Sequence, residues 1–349
     1  MEHFRGSFIF TIIGLILAYF WAHYMNLGSE LGALFSVFVL GVLEVSLSFD
    51  NAVINAAKLE KMSPLWQHRF LTWGMVIAVF GMRFLFPIFV VAIFSKIGIL
   101  KVLNMAFSDP ELYSHYLKVS HPAIITFGGA FLIMLFFSYF FNHEKDLHWI
   151  KPIEEKMAAL GHFKSIGITI TLLLILLTQH LAPQGHRLEI LFSGVWGIVL
   201  FLLMEGLSHF IEHHGLKNNC NNSKEKHTGF SLKNSCFVNF LYLELIDASF
   251  SLDGVLGAFA LSKDIFIITI GLSIGAMFVR SLTIMLVEKK TLKEYKFLEH
   301  GAHFAIGALA LIMFISAIKE VSEVVTGTIG LVFILSALYS SIKENKNAQ

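Results

Sequence analysis

An all-α, polytopic membrane protein of about ten spans is the fold class this sequence predicts, and three observations carry the prediction. Ten apolar segments are long enough, or nearly long enough, to cross a bilayer as helices. The composition agrees: 56% of residues are hydrophobic, 15% are charged and mean hydropathy is +0.70, far from a soluble globular chain. The third observation is an internal repeat in which three spans recur five spans later.

The segments are residues 7–25, 31–57, 70–95, 121–142, 165–182, 188–211, 236–261, 264–287, 301–318 and 323–342. The first has only Arg5 before it and no small-residue cleavage site, so it reads as a retained span rather than a signal peptide. The fifth is short enough to be re-entrant, and the last two are divided only by Lys319–Glu323 and read as a tight hairpin. No soluble domain fits between the spans, so residues 1–349 form one transmembrane domain. Counting Lys and Arg in the connections puts 18 on the side of the N-terminus and 6 on the other, which places both termini in the cytoplasm. Arg83 and Arg280 fall inside spans.

The repeat is clearest in a buried acidic stretch. Glu44, Ser48 and Asp50, in Glu44-Val45-Ser46-Leu47-Ser48-Phe49-Asp50-Asn51, align with Asp247, Ser251 and Asp253 in Asp247-Ala248-Ser249-Phe250-Ser251-Leu252-Asp253-Gly254. In the following spans Gly74 precedes Arg83 by nine residues, as Gly271 precedes Arg280. One span further, Gly128 with Leu132-Ile133-Met134 matches Gly307 with Leu311-Ile312-Met313. Residues 31–142 are thus a first repeat and 236–318 a second, with connecting spans at 165–211. An offset of five spans is odd, so the two copies insert in opposite senses, the architecture of many secondary transporters.

Each carboxylate at bilayer depth costs about 2.5–3.5 kcal/mol unless compensated, so four would cost on the order of 10–14 kcal/mol. On an ideal helix Glu44, Ser48, Asn51 and Asn55 share a face. Asp50 lies about 120° from Glu44. In the second copy Asp247, Ser251 and Gly254 share a stripe, joined by Glu244, and Asp253 again lies apart. Two arrangements satisfy this pattern. Either the helix unwinds near Ser48–Asn51 and Ser251–Gly254, freeing backbone carbonyls, or each Asp faces the partner repeat while each Glu/Asp247 position faces a neighbour. The ligand atoms on offer are carboxylate, carboxamide and hydroxyl oxygens, which suit hard divalent ions such as Mn²⁺, Mg²⁺ or Ca²⁺ better than Zn²⁺ or Cu⁺. Arg83 and Arg280 are the natural counter-charges of such a site. Ion pairs that merely tie spans together are the alternative, but four acids against two arginines leave a surplus that a cation would neutralise.

Other features are weaker. Glu205 and His209 stand one turn apart with Ser208 beside them, suited to a metal-ligand or proton-relay role and at least as well to a helix-packing hydrogen bond. His143-Glu144 and Glu212-His213-His214 read as solvated groups at span ends, and Glu320 and Glu323 fit a pore mouth and a solvated loop equally well. Cys220 and Cys236 are sixteen apart without a CxxC, so neither a redox motif nor a thiolate metal site is indicated. No basic block with interleaved aromatics points to nucleic acid; the expected surroundings are the lipid bilayer.

At Glu44 and Ser48-Phe49-Asp50-Asn51-Ala52, with the second copy, the sequence resembles the TerC family of integral membrane proteins. The likeness covers residues 31–142 and 236–318, and the Gly-x-Arg of the following span belongs to it. The resemblance implies a bacterial cytoplasmic-membrane protein of a broad exporter group, whose members are associated with tellurite resistance and manganese export. It further implies Glu44, Asp50 and Asn51 from the first copy, and Asp247 and Asp253 from the second, as ligands of the transported ion. Gly254 stands where the first copy has Asn51, so one side-chain ligand is missing there.

The leading expectation is therefore a secondary exporter of a divalent cation, Mn²⁺ foremost, with no bound cofactor and no enzymatic activity. An intramembrane aspartyl protease with Asp50 and Asp253 as its dyad is a second reading. Against it, Asp253 lacks a Gly-x-Gly-Asp context and each copy has an acid that a dyad does not need. A membrane scaffold that assists in metal or tellurite stress without transport is a third.

Overall fold

The computed structural model describes residues 2–25, 29–60, 62–142, 147–163, 165–213, 235–262, 264–319, 321 and 323–348. Among them there are helices and no strands. The helices are α1 (Arg5–Tyr24), α2 (Glu30–Leu47), α3 (Phe49–Leu59), α4 (Pro64–Ile93), α5 (Ile99–Ser108), α6 (Pro110–Phe140) and α7 (Lys151–Leu160). They continue as α8 (Ile166–Leu181), α9 (Arg187–His213), α10 (Ser235–Leu261), α11 (Ile265–Glu288), α12 (Leu298–Ser316) and α13 (Glu323–Ala348).

Every predicted segment falls on a helix, and seven described helices are long and apolar enough to cross a membrane: those over 5–24, 30–47, 64–93, 110–140, 184–207, 265–288 and 298–316. The expected count was about ten. Of the other three segments, α8 is a shorter apolar helix of 16 residues. Glu244, Asp247 and Asp253 interrupt the apolar run of the 27-residue α10, and α13 ends in Lys343, Glu344 and Lys346. Two further helices, α5 and α7, occupy stretches expected to be connections.

Local chemistry starts the long helices where the sequence places its caps. Ser29 accepts from the amide of Gly32, Asp109 from that of Leu112 ahead of Pro110, and Asp264 from those of Phe266 and Ile267. The segment 31–57 is not one helix. Ser48 adopts φ −106° and ψ 16°, which separates α2 from α3, whereas α10 runs without a break through 235–261. The unwinding considered for both copies thus occurs in one. In α4, residues Phe70–Gly74 and Ile77–Leu85 form π-helical turns, whose wider hydrogen-bond pattern turns carbonyls away from regular pairing.

The packing follows the repeat. Helix α2 lies along α11 and α10 lies along α4, so span two meets span eight as span seven meets span three. Helix α3 touches α12 as α10 touches α6, and α6 packs directly on α12. These are the pairings that exchanging spans two to four with spans seven to nine would produce. Small residues permit the closest approaches, as in other membrane bundles. A Cβ on Gly271 would stand 2.6 Å from Cβ of Leu40, and one on Gly275 would strike the side chain of Glu44. One on Gly74 would strike the carboxylate of Glu244.

Outside the repeats, α1 rests on α11 through Ser7, which donates to the Met277 carbonyl and bonds the Ser281 hydroxyl, and through Trp21, which donates to Asp264. Helix α9 packs on α6 and α8, and α13 on α12. Cys236, at the start of α10, is disulfide-bonded, which its spacing in the sequence did not announce. Cys220, the chain's other cysteine, lies outside the described residues.

Candidate cation site

The site grows from the break at Ser48. With α2 ending there, Glu44 points from the last turn of α2 and Asp50, Asn51 and Asn55 from α3, all of them buried. The Ser48 hydroxyl donates to Glu44 Oε1 at 3.0 Å, and Nη2 of Arg83 donates to the same oxygen at 2.5 Å. Arg83 reaches that point from a π-helical turn of α4, and its Nη1 donates to the Ala78 carbonyl at 2.6 Å. The same Nη1 stands 3.7 Å from Asp247 Oδ2 on α10. Glu44 and Asp247, the matched acids of the two copies, therefore share one guanidinium.

Asn51 closes the network on the other side. Its Nδ2 donates to Asp247 Oδ1 at 2.6 Å, and its backbone amide donates to Asp50 Oδ1 at 3.0 Å. The remaining oxygen of Asp50 faces α13, where a Cβ on Gly330 would lie 3.7 Å away. Asp50 is thus linked to Asp247 through Asn51. Among the described residues no three of His, Cys, Asp and Glu come together as a metal-holding group. The side chains of Ser251 and Asp253 lie outside the described residues, as do those of Ser208, His209, Glu320 and Glu323.

Arg280 is held differently. From α11 it donates to the carbonyls of Phe70 and Gly74 at 2.7 and 2.6 Å, with its guanidinium 4.3 Å from the Phe70 ring centre. Its carboxylate partner among the described residues is Glu244 Oε1, at 3.5 Å. Both arginines, expected to lie within reach of the acidic copies, do so. Both also draw on carbonyls of α4, spaced four residues apart at Phe70, Gly74 and Ala78.

Glu244 was placed on a helical stripe but not among the site residues. The signal that marks it is an acid one turn before Asp247 within an apolar run. Glu205, by contrast, accepts from Ser138 at 3.3 Å on an exposed face, a packing contact.

Three buried carboxylates (Glu44, Glu244, Asp247) thus flank two guanidinium groups, with a fourth, Asp50, buried nearby. Asn51 Oδ1, Asn55 Oδ1, Asp247 Oδ2 and Glu244 Oε2 are buried without a hydrogen-bond donor among the described residues. An unmatched acceptor in so dry a place is costly, on the order of 1–3 kcal/mol each. Among the described residues two guanidinium groups stand against four buried carboxylates.

Residues 49–348 match the family described as "Protein of unknown function (DUF475)". The chain belongs to the DUF475 family. The matched stretch of this DUF475 protein begins just after the break at Ser48 and takes in Asp50, Asn51, Arg83, Asp247, Asp253 and Arg280, while Glu44 and Ser48 precede it. No curated protein and no solved structure matches the chain. The TerC resemblance of its acidic stretch rests on the residues themselves.

Proposed function

We propose that this DUF475 protein is a secondary transporter that exports a divalent metal cation across the cytoplasmic membrane, with Mn²⁺ the foremost candidate. The observation that carries the reading is the set of buried oxygen acceptors without donors among the described residues where the two repeats meet, on Asn51, Asn55 and Asp247. Carboxylate and carboxamide oxygens without Cys or His favour a hard ion over Zn²⁺ or Cu⁺. The resemblance to TerC proteins points to the same ion.

In this reading Arg83 is a tethered cation that holds Glu44 and Asp247 while no metal is bound. A divalent ion arriving at Asp247 and Asn51 supplies two charges where the guanidinium supplies one. Arg83 then keeps its bond to the Ala78 carbonyl and gives up Asp247, its longer contact. Exposure of the site to one side and then the other follows from exchanging the two halves about their pseudo-two-fold relation.

The test is transport by the purified chain in liposomes that enclose a Mn²⁺-responsive dye. Wild-type protein is expected to admit Mn²⁺ faster than protein-free vesicles, and Asp50→Asn and Asp247→Asn to lower the rate at least about tenfold. Wild-type rates in both variants, or no uptake above empty vesicles by the wild type, would overturn the proposal.

A further inference from the structure

We infer that Glu244 carries the proton for which the metal cation is exchanged, at a position separate from the Glu44–Asp247 site. The inference rests on the transporter reading above. Placing Asp253 on Asp50 puts Glu244 on Gly41, so this acid belongs to one copy only, and the repeat itself does not call for it.

Glu244 is 4% exposed, and its Oε2 has no hydrogen-bond donor among the described residues. Its Oε1 lies against Gly74, where any side chain would collide with it, so α4 forms a close-fitting wall. Arg280 stands beside it at 3.5 Å, the outer limit of a hydrogen bond, because both terminal nitrogens of that guanidinium are committed to the Phe70 and Gly74 carbonyls. This arrangement supports both protonation states. The guanidinium attracts the ionised carboxylate, yet loses no strong bond when the carboxyl becomes neutral.

A metal ion is poorly suited to the same position. It would meet a fixed guanidinium at short range and, among the described residues, the carboxylate of Glu244 alone in direct reach, where hard ions take six or more oxygens. A proton needs one oxygen.

The charged groups around Glu244 explain how its proton could answer to the metal. Arg280 on α11, Arg83 on α4 and Asp247 on its own helix act on it directly. From the other packed elements, Glu44 of α2 is bonded to Arg83, Asp50 of α3 is turned toward Gly330 of α13, and Glu205 of α9 is bonded to Ser138 of α6. A divalent ion on Asp247, one helical turn away, removes the negative charge that favours a neutral Glu244 and adds positive charge that disfavours it. Metal binding thereby expels the proton, and protonation expels the metal, a reciprocal coupling. The only covalent change is the O–H bond of Glu244, broken as the proton passes to water on the side the site then faces.

The experiment uses the full-length chain purified in detergent and a weakly buffered solution, titrated with MnCl₂ while pH and bound metal are recorded. Wild type is expected to release protons on binding Mn²⁺, and Glu244→Gln to release one fewer per ion bound. Equal release by Glu244→Gln and wild type would overturn the inference. If Glu244→Gln does not fold, Glu244→Asp serves instead. The pH midpoint of its Mn²⁺-driven release should fall by about 0.4 unit, the ordinary difference between the two carboxyls, and an unmoved midpoint would overturn the inference equally. Failure of wild-type protein to bind Mn²⁺ would bring down the transporter reading first, and this one with it.

Discussion

Replacing Arg83 by leucine removes one guanidinium from between two buried carboxylates. Glu44 Oε1 loses a partner at 2.5 Å, Asp247 loses its contact at 3.7 Å, and the Ala78 carbonyl loses its donor at 2.6 Å. Removing one member of a buried ion pair costs about 3–5 kcal/mol, chiefly because a charge is left uncompensated. Most of that cost should sit on Glu44, since Ser48 is its one remaining donor among the described residues and Asp247 keeps Asn51. Adding Glu44→Gln to Arg83→Leu removes the stranded charge, so the double variant should recover about 1–3 kcal/mol relative to additivity. Denaturant unfolding in mixed micelles, followed by tryptophan fluorescence, measures all four corners of the cycle. Mn²⁺ at about 100 times its Kd should return about 2.7 kcal/mol to Arg83→Leu, because the freed carboxylates bind the ion without a tethered competitor. An Arg83→Leu protein within about 0.5 kcal/mol of wild type would refute the reasoning, as would a cycle that closes additively.

Two further outcomes are expected. Gly271→Ala should destabilise the protein by about 1–3 kcal/mol, since the new Cβ would stand 2.6 Å from Leu40 and force α2 and α11 apart; Gly6→Ala, which meets no atom within 4 Å, is the control, and equal stability of the two variants would count against the packing of these spans. A reporter fused after Lys343 should be active in the cytoplasm, as the excess of Lys and Arg on that side requires; activity only on the outer side would reverse the orientation.

Hydropathy was enough to locate the long apolar helices, though not α5 and α7, because a backbone in lipid must satisfy its own hydrogen bonds and a long apolar run leaves few alternatives. It was not enough to show the break at Ser48. Nothing in Leu47-Ser48-Phe49 forbids a continuous helix, and the second copy, with Ser251 at the matched position and Gly254 beyond it, runs through unbroken. The arginine partners were legible in kind, since a buried guanidinium requires acceptors, but not in detail. That Arg280 would rely on the carbonyls of Phe70 and Gly74 depends on π-helical turns in α4, for which apolar periodicity carries no signal. Asp50 was legible as a buried acid; its turn toward Gly330 depends on where α13 docks, a tertiary fact.

Those π-helical turns have one more consequence. Gly74 and Arg83 are separated by the same nine residues as Gly271 and Arg280, yet equal separation in sequence is not equal rotation about an axis. Along the regular α11, nine steps turn a side chain by about 180° from its glycine. A π turn takes up more residues, so the same nine steps in α4 sweep a smaller angle and send Arg83 in another direction. Two arginines written identically into the repeats thus become different parts. One is seated on the neighbouring backbone, and the other spans the acids of both halves. The symmetry of the text is broken by the pitch of a single helix, so that the halves are alike in order but not interchangeable in what they grip.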